Sequence, residues 1–335
     1  MKMNELRHQI EKEVRAAAAG PQVAYVTIGD EADGQRIDNF LLKLSKGVPK
    51  SHVYRILRSG EVRVNKGRVD ATYRLQLGDV VRIPPMRVAA PAPDGGKFVP
   101  PASFPVVFED EYLLVINKPA GVAVHGGSGV AFGVIEQLRR ARPQAKFLEL
   151  VHRLDRETSG LLVLAKKRTA LVNLHEQMRG SALDKRYFAC VAGHFENARQ
   201  HVKLPLFKYT TAEGERRVRV QDDGIASHTV FNRLEVMPGF TLLEAELKTG
   251  RTHQIRVHLA HSGFPILGDE KYGDFALNKA LARSGANPGL KRMFLHAHSL
   301  TFTHPISGDI ITVVAPMPPE CEAFLQQARN QRARD

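Results

Sequence analysis

The stretch His152-Arg153-Leu154-Asp155-Arg156-Glu157-Thr158-Ser159-Gly160, running straight into Leu161-Leu162-Val163-Leu164-Ala165, decides how the rest of the chain is read. Five consecutive apolar residues after a polar, turn-forming segment read as a short buried strand. A polar loop just before such a strand holds its side chains at the lip of a core. Asp155 lies between Arg153 and Arg156, and nearby positive charge lowers a carboxylate's pKa and keeps it ionised. An ionised carboxylate is a nucleophile or a base. The same aspartate would equally suit a turn cap that pairs with an arginine.

Outward from this segment, further strands are predicted at Leu113–Asn117, Tyr187–Val191, Thr229–Glu235 and Thr241–Leu247, with a final hairpin of Ser299–Thr303 and Ile310–Ala315 around a Pro-Ile-Ser-Gly-Asp turn. Helices are predicted at Gly133–Ala141, Thr169–Arg179 and Thr252–Ser262. Strands and helices alternate irregularly, without repeated βαβ units or a fixed-period repeat. This predicts an α+β unit over residues 106–325, followed by a polar C-terminal tail at 326–335.

Two more segments of that unit carry chemistry. In Lys248-Thr249-Gly250-Arg251-Thr252-His253-Gln254-Ile255-Arg256-Val257-His258, Gly250 permits a turn and Thr249 or Thr252 can cap the following helix. Arg251 at that helix start has a guanidinium able to fork onto a carboxylate or a phosphate, or is an ordinary surface arginine. In Lys185-Arg186-Tyr187-Phe188, Tyr187 at a strand start could stack on a base or simply fill the core. The segments 117–121 and 125–129 read as a pair of flexible glycine-containing loops. They match neither a Walker A loop, nor GxGxxG, nor GxSxG. HExxH is absent and carboxylates are scarce around the histidines, so no metal site is expected.

The N-terminal part is organised differently. Ile37, Phe40, Leu41 and Leu44 fall at i, i+3, i+4 and i+7, an amphipathic helix. A second helix follows the Gly47–Pro49 break, capped by Ser51 and buried through Val53, Ile56 and Leu57. Short extended pieces at Val62–Val64 and Val80–Ile83 complete a unit spanning residues 25–87. Between 35 and 87 there are twelve Lys/Arg against four Asp/Glu, so this stretch holds a surplus of eight positive charges within a chain whose net charge is +13. A one-signed surplus on a two-helix scaffold points to a nucleic-acid partner. Lys50, Arg55, Arg58, Arg63, Lys66 and Arg68 are the candidate contacts. Seven of the 19 prolines lie between 84 and 105, which marks residues 88–105 as an extended linker. Residues 1–24 read as a polar, helix-prone tail.

At 335 residues, 43% hydrophobic and 25% charged, the chain has the composition of a folded protein of about two domains. No run approaches the ~18 apolar residues of a membrane helix, so no membrane partner is expected. Two cysteines without CxxC spacing suit a reducing cytoplasm.

Taken together, HRLDRETSG, the KRY strand and RTHQIRVH resemble the pseudouridine synthases of the ribosomal large-subunit type, and GQRIDNFL with GVPKSHVYRILRSGEVRVNKGR resembles an S4 domain. The resemblance spans about Gln35 to Phe324. It implies a mixed or antiparallel sheet with flanking helices, preceded by a small S4-like α/β RNA-binding domain. It implies that Asp155 is the catalytic aspartate, Arg251 the arginine paired with it, and Tyr187 the tyrosine that stacks on the target base. By the same resemblance Arg153 fills the gap left by a flipped nucleotide and Ile255 lines the base pocket. The implied reaction breaks the N1–C1′ bond of uridine and rejoins the base through C5. Nothing is oxidised and no group is transferred from outside, so no cofactor is expected. The implied partner is 23S ribosomal RNA or a precursor large subunit, met by a monomer in the cytoplasm. A sister synthase for another helix of that RNA or for transfer RNA, a non-catalytic S4-type assembly protein and a metal-dependent nuclease are the competing readings.

Overall fold

The computed structural model describes residues 23–29, 32–45, 48–86, 99–127, 130–283, 285 and 289–332. The chain divides into two compact units, Met1–Phe98 and Val99–Asp335. Most of the expected N-terminal tail, most of the expected linker and residues 333–335 lie outside the described residues.

The first unit packs two helices on a three-stranded antiparallel sheet. Its elements are β1 (Ala24–Thr27), α1 (Ile37–Leu44), α2 (Lys50–Arg58), β2 (Arg63–Val64) and β3 (Val80–Ile83), with strand order β1-β3-β2. The spacing of the apolar residues explains the packing. Ile37, Phe40 and Leu41 of α1 and Val53, Ile56 and Leu57 of α2 are buried together with Val81 and Ile83. Ser51 does not cap α2. That helix starts at Lys50 after Pro49, whose fixed φ of −58° leads into the first turn.

The second unit is a mixed sheet with helices on its faces, an α+β arrangement. Its strands are β4 (Val106–Glu109), β5 (Leu113–Lys118), β6 (Glu149–Leu150), β7 (Ser159–Ala165), β8 (Asp184–Ala192), β9 (Arg199–Val202), β12 (Thr229–Met237), β13 (Phe240–Leu247), β14 (Leu295–Thr303) and β15 (Ile310–Val314). They run in the order β4-β5-β7-β14-β8-β13-β12-β9, with β6 beside β7 and β15 beside β14. Every pairing is antiparallel except β7 with β14, which is parallel through Ser159–His296 and Gly160–Ala297. A separate hairpin, β10 (Leu206–Thr210) and β11 (Arg216–Val220), was not anticipated from the sequence.

The unbroken apolar run of β7 follows from burial on both faces. Leu162 and Leu164 face the cluster beneath α3 (Val134–Ala141), while Leu161 and Val163 face the one beneath α4 (Arg168–Arg179). The remaining helices are α5 (Gln254–His261), α6 (Phe275–Leu281) and α7 (Pro319–Arg332). The expected C-terminal tail is largely this last helix. Cys321, Phe324, Leu325 and Ala328 fall at helical spacing and are buried, and the polar residues between them obscure the stripe. The end of the expected linker is also structural. Phe104 packs in the main core, and the Pro105 carbonyl accepts the Asn117 N–H at 2.8 Å.

Candidate active site

The loop before β7 is fastened from two sides. His152 turns back so that its Nε2 accepts the Val163 N–H at 3.1 Å. Burial, with Lys185 nearby, pushes this imidazole down to about 4, which suits a neutral acceptor. On the other side the Arg156 carbonyl accepts hydrogen bonds from the Gly121 N–H at 2.9 Å and from Lys118 Nζ at 3.1 Å. Lys118 is fully buried, and its ammonium also donates to the carbonyls of Pro119 and Val122 at 2.8 and 2.9 Å. Burial pushes it down to about 7. Residues 117–122 are therefore a staple and not the flexible loop read from their glycine and proline. We expect Lys118→Met to leave these three carbonyls unsatisfied at a cost of about 3 kcal/mol. Thermal melting should fall by roughly 2–4 °C per kcal/mol, and unchanged melting would show that the staple does not hold the loop.

Asp155 is thus held with its side chain 23% exposed, at a small open cleft. The cleft is lined by Arg153, Asp155, Tyr187, Arg251 and Ile255, drawn from three separated segments, together with Leu154, His253, Arg256 and Leu295. Tyr187 lies within β8, not at its start, and is 7% exposed. Burial, reinforced by the Asp155 charge, pushes its phenol well above the usual range, so it stays protonated. Ile255 is 5% exposed and shares a core cluster with Leu154, Tyr187 and Leu295. Arg153 is exposed at the rim.

The expected pairing of Arg251 with Asp155 is not made. Arg251 is exposed, and its Nε donates to the Ala226 carbonyl at 3.2 Å. The partner of Asp155 is Arg256, whose Nη1 donates to Asp155 Oδ2 at 2.9 Å. The backbone before α5 explains the difference. Neither Thr249 nor Thr252 caps the helix. Its N-cap is His253 in the left-handed region, φ 54° and ψ 18°. Gln254 folds back to accept the Arg251 N–H at 3.0 Å and the Thr249 hydroxyl at 2.8 Å. This turn sends Arg251 outward, and Arg256, in the first helical turn, points inward.

Arg256 bridges two carboxylates. Besides Asp155 it meets Asp269 through Nε at 2.7 Å and Nη2 at 2.8 Å. Asp269 is 1% exposed and also accepts the N–H groups of Lys271 and Tyr272 at 2.8 and 3.0 Å. Burial opposes both charges. The hydrogen bonds and mutual attraction outweigh it, so Asp269 lies below and Arg256 above its ordinary pKa. The guanidinium sits 5.1 Å over the Tyr272 ring. Arg256, His253, Asp269 and Tyr272 were missed as site residues. Arg256 adjoins Ile255 in the segment already singled out, and the helical turn that points it inward was its available signal. Asp269 and Tyr272 carried none. Among the described residues no group of three or more His, Cys, Asp or Glu could hold a metal ion.

In the first unit, Lys50, Arg55, Arg58, Arg63, Lys66 and Arg68 are all exposed. Two of the four acids that offset them are internal. Asp38 is 2% exposed, bound by Arg36 Nη2 at 2.6 Å and the Tyr54 hydroxyl at 3.0 Å, and Asp79 is 6% exposed, bound by Asn65 and Tyr73. The surface is thus more basic than the residue count implies.

Residues 112–261 match the family described as RNA pseudouridylate synthase, and residues 35–81 match the S4 domain. The Pasteurella multocida protein named ribosomal large subunit pseudouridine synthase C is 50% identical over 315 residues, covering 93% of this chain and 95% of its own. The Escherichia coli K12 protein of the same name is 50% identical over 317 residues, covering 93% and 98%. Among solved structures, human RNA pseudouridylate synthase domain containing 4 superposes with a TM-score of 0.56 and 26% identity, over 67% of this chain and 93% of its own.

Proposed function

This chain belongs to the RNA pseudouridylate synthase family, and from that premise we propose that it converts specific uridines of 23S ribosomal RNA to pseudouridine, with Asp155 as the reacting carboxylate. The observation that carries this reading is the convergence of Asp155, Tyr187 and Ile255 on one cleft, with the carboxylate held by Arg256.

The chemistry asks for an anionic oxygen near C1′ of the target nucleotide. Asp155 supplies it, adding to the sugar or promoting elimination to a glycal. The released base turns, rejoins through C5 and loses the C5 hydrogen. Arg256 pairs with the carboxylate and aims it. Tyr187 offers a protonated phenol and a ring against the base, and Leu154 and Ile255 give the base an apolar wall. A uridine in stacked RNA reaches these groups only when flipped out. Arg153, exposed at the rim, fills the gap in the stack. Arg251 faces outward at the mouth, where a guanidinium suits an RNA phosphate. The enzyme works as a monomer in the cytoplasm and needs no cofactor for this isomerisation.

Tritium release from 23S RNA carrying 5-tritiated uridine tests the reaction, because C5 loses its hydrogen only as the new bond forms. Mapping pseudouridine in ribosomal RNA from cells with and without the gene identifies the sites. Absence of tritium release from both naked RNA and precursor subunits would overturn the reading.

The basic surface of the first unit supplies phosphate contacts. We expect Lys50→Ala/Arg55→Ala/Arg58→Ala to weaken RNA binding and flatten its salt dependence. The slope of log K against log salt should fall by about 0.7–0.9 for each phosphate that the variant no longer neutralises. Binding titrations across a salt series measure this, and an unchanged slope would remove these residues from the interface.

A further inference from the structure

His253 adopts a left-handed backbone conformation, uncommon for a residue other than glycine, of the kind that collects at functional sites. Its ring is 16% exposed and lines the cleft. Nδ1 lies 2.7 Å from the Tyr272 hydroxyl, with the rings edge-on at 5.5 Å. That hydroxyl already accepts the Val218 N–H at 3.0 Å. A phenol has one proton, and among the described residues Nδ1 is the acceptor that pairs with it. Tyr272 therefore donates to Nδ1, and the imidazole proton sits on Nε2. Nε2 is 3.8 Å from Asp155 Oδ2, too far for a direct hydrogen bond. Oδ2 is instead taken by Arg256. Burial, with Arg256 and Lys271 nearby, pushes the imidazole down to about 4 against the pull of Asp155 and Asp269, so it is neutral at physiological pH.

The Tyr272–His253 pair thus fixes a neutral N–H donor beside the reacting carboxylate, with no hydrogen-bond acceptor for it among the described residues. Asp155 acts at C1′, so a donor nearly 4 Å from its oxygen overlies the neighbouring atoms of the same sugar. We propose that His253 is a substrate-positioning residue whose Nε2–H donates to a ribose oxygen of the target uridine, locked in the required tautomer by Tyr272. This rests on the pseudouridine-forming reading of the site.

The test separates a donor from a mere backbone requirement. Glutamine places an amide nitrogen where Nε2 stands, whereas asparagine places one near Nδ1 and cannot reach. Asparagine, however, tolerates the left-handed backbone better. We expect His253→Asn to lower turnover at saturating RNA about tenfold, the worth of one hydrogen bond, with melting unchanged, and His253→Gln to retain most of the wild-type rate. Tyr272→Phe frees the tautomer and should lower turnover by a smaller factor. The His253→Asn/Tyr272→Phe double variant should be no slower than His253→Asn alone. An active wild type with His253→Asn at least as fast as His253→Gln, or with additive losses in the double variant, overturns the inference alone. An inert wild type overturns the underlying reading and the inference with it.

Discussion

Asp155→Asn should bind RNA, melt with the wild type and release no tritium from 5-tritiated uridine, a loss of more than about 10⁴-fold in turnover. Asparagine is nearly isosteric, and the loop around it is held by His152, Lys118 and Gly121 through backbone groups that the substitution leaves intact. The amide still accepts from Arg256 but carries no charge, so neither addition at C1′ nor elimination can begin. Affinity persists because phosphate contacts come from lysines and arginines elsewhere. If Asp155 served only to tie the loop to Arg256, the variant would lose stability and keep its activity. Melting, binding and tritium release on one preparation separate the two outcomes, and a stable variant releasing tritium at the wild-type rate would remove Asp155 from the chemistry.

Arg256→Met should cost both stability and turnover. Removing one guanidinium leaves Asp269, almost fully buried, without its two strongest hydrogen bonds. Breaking a buried ion pair from one side costs about 3–5 kcal/mol, a drop in melting temperature of roughly 10 °C. A second change tells the two losses apart. Asp269→Asn in the Arg256→Met background removes the stranded charge and should restore part of the stability without restoring turnover, because Asp155 still lacks its partner. Arg256→Lys should fall between, since an ammonium cannot bridge two carboxylates with a planar fork. Recovery of turnover together with stability in the double variant would show that Arg256 serves the fold alone.

The contrast between Arg251 and Arg256 marks how far the sequence could be read. Strands such as β5, β7 and β13 were legible because their apolar runs outlast any turn, and α1 and α2 because their apolar spacing is helical. The segments forming the cleft were legible from their unusual concentration of polar residues beside apolar strands. Which of two arginines five residues apart turns inward was not. That choice hangs on a left-handed histidine and a glutamine folded back on the chain, and neither has a compositional trace. The β10–β11 hairpin was hidden by basic residues that mask its alternation, and α7 by polar residues between Cys321 and Ala328. Asp269 follows α5 in an irregular stretch, and only the folded chain brings it beneath Arg256.

The parallel contact of β7 with β14 bears on how the enzyme comes into being. Gly160 sits there at φ 111°, and an added Cβ would lie 2.2 Å from the Ala297 carbonyl oxygen, so the two backbones touch with no space for a side chain. The pair joins Ser159 to His296 across 137 positions of sequence, and β14 is the strand that separates the Asp155 loop from the Tyr187 strand. Every residue assigned to the reaction is synthesised before this strand emerges. A nascent or truncated chain ending near residue 290 would therefore contain the complete chemical inventory and no catalyst. Closing so long a loop is slow, so activity on refolding should appear with the last kinetic phase, after local helices and hairpins have formed.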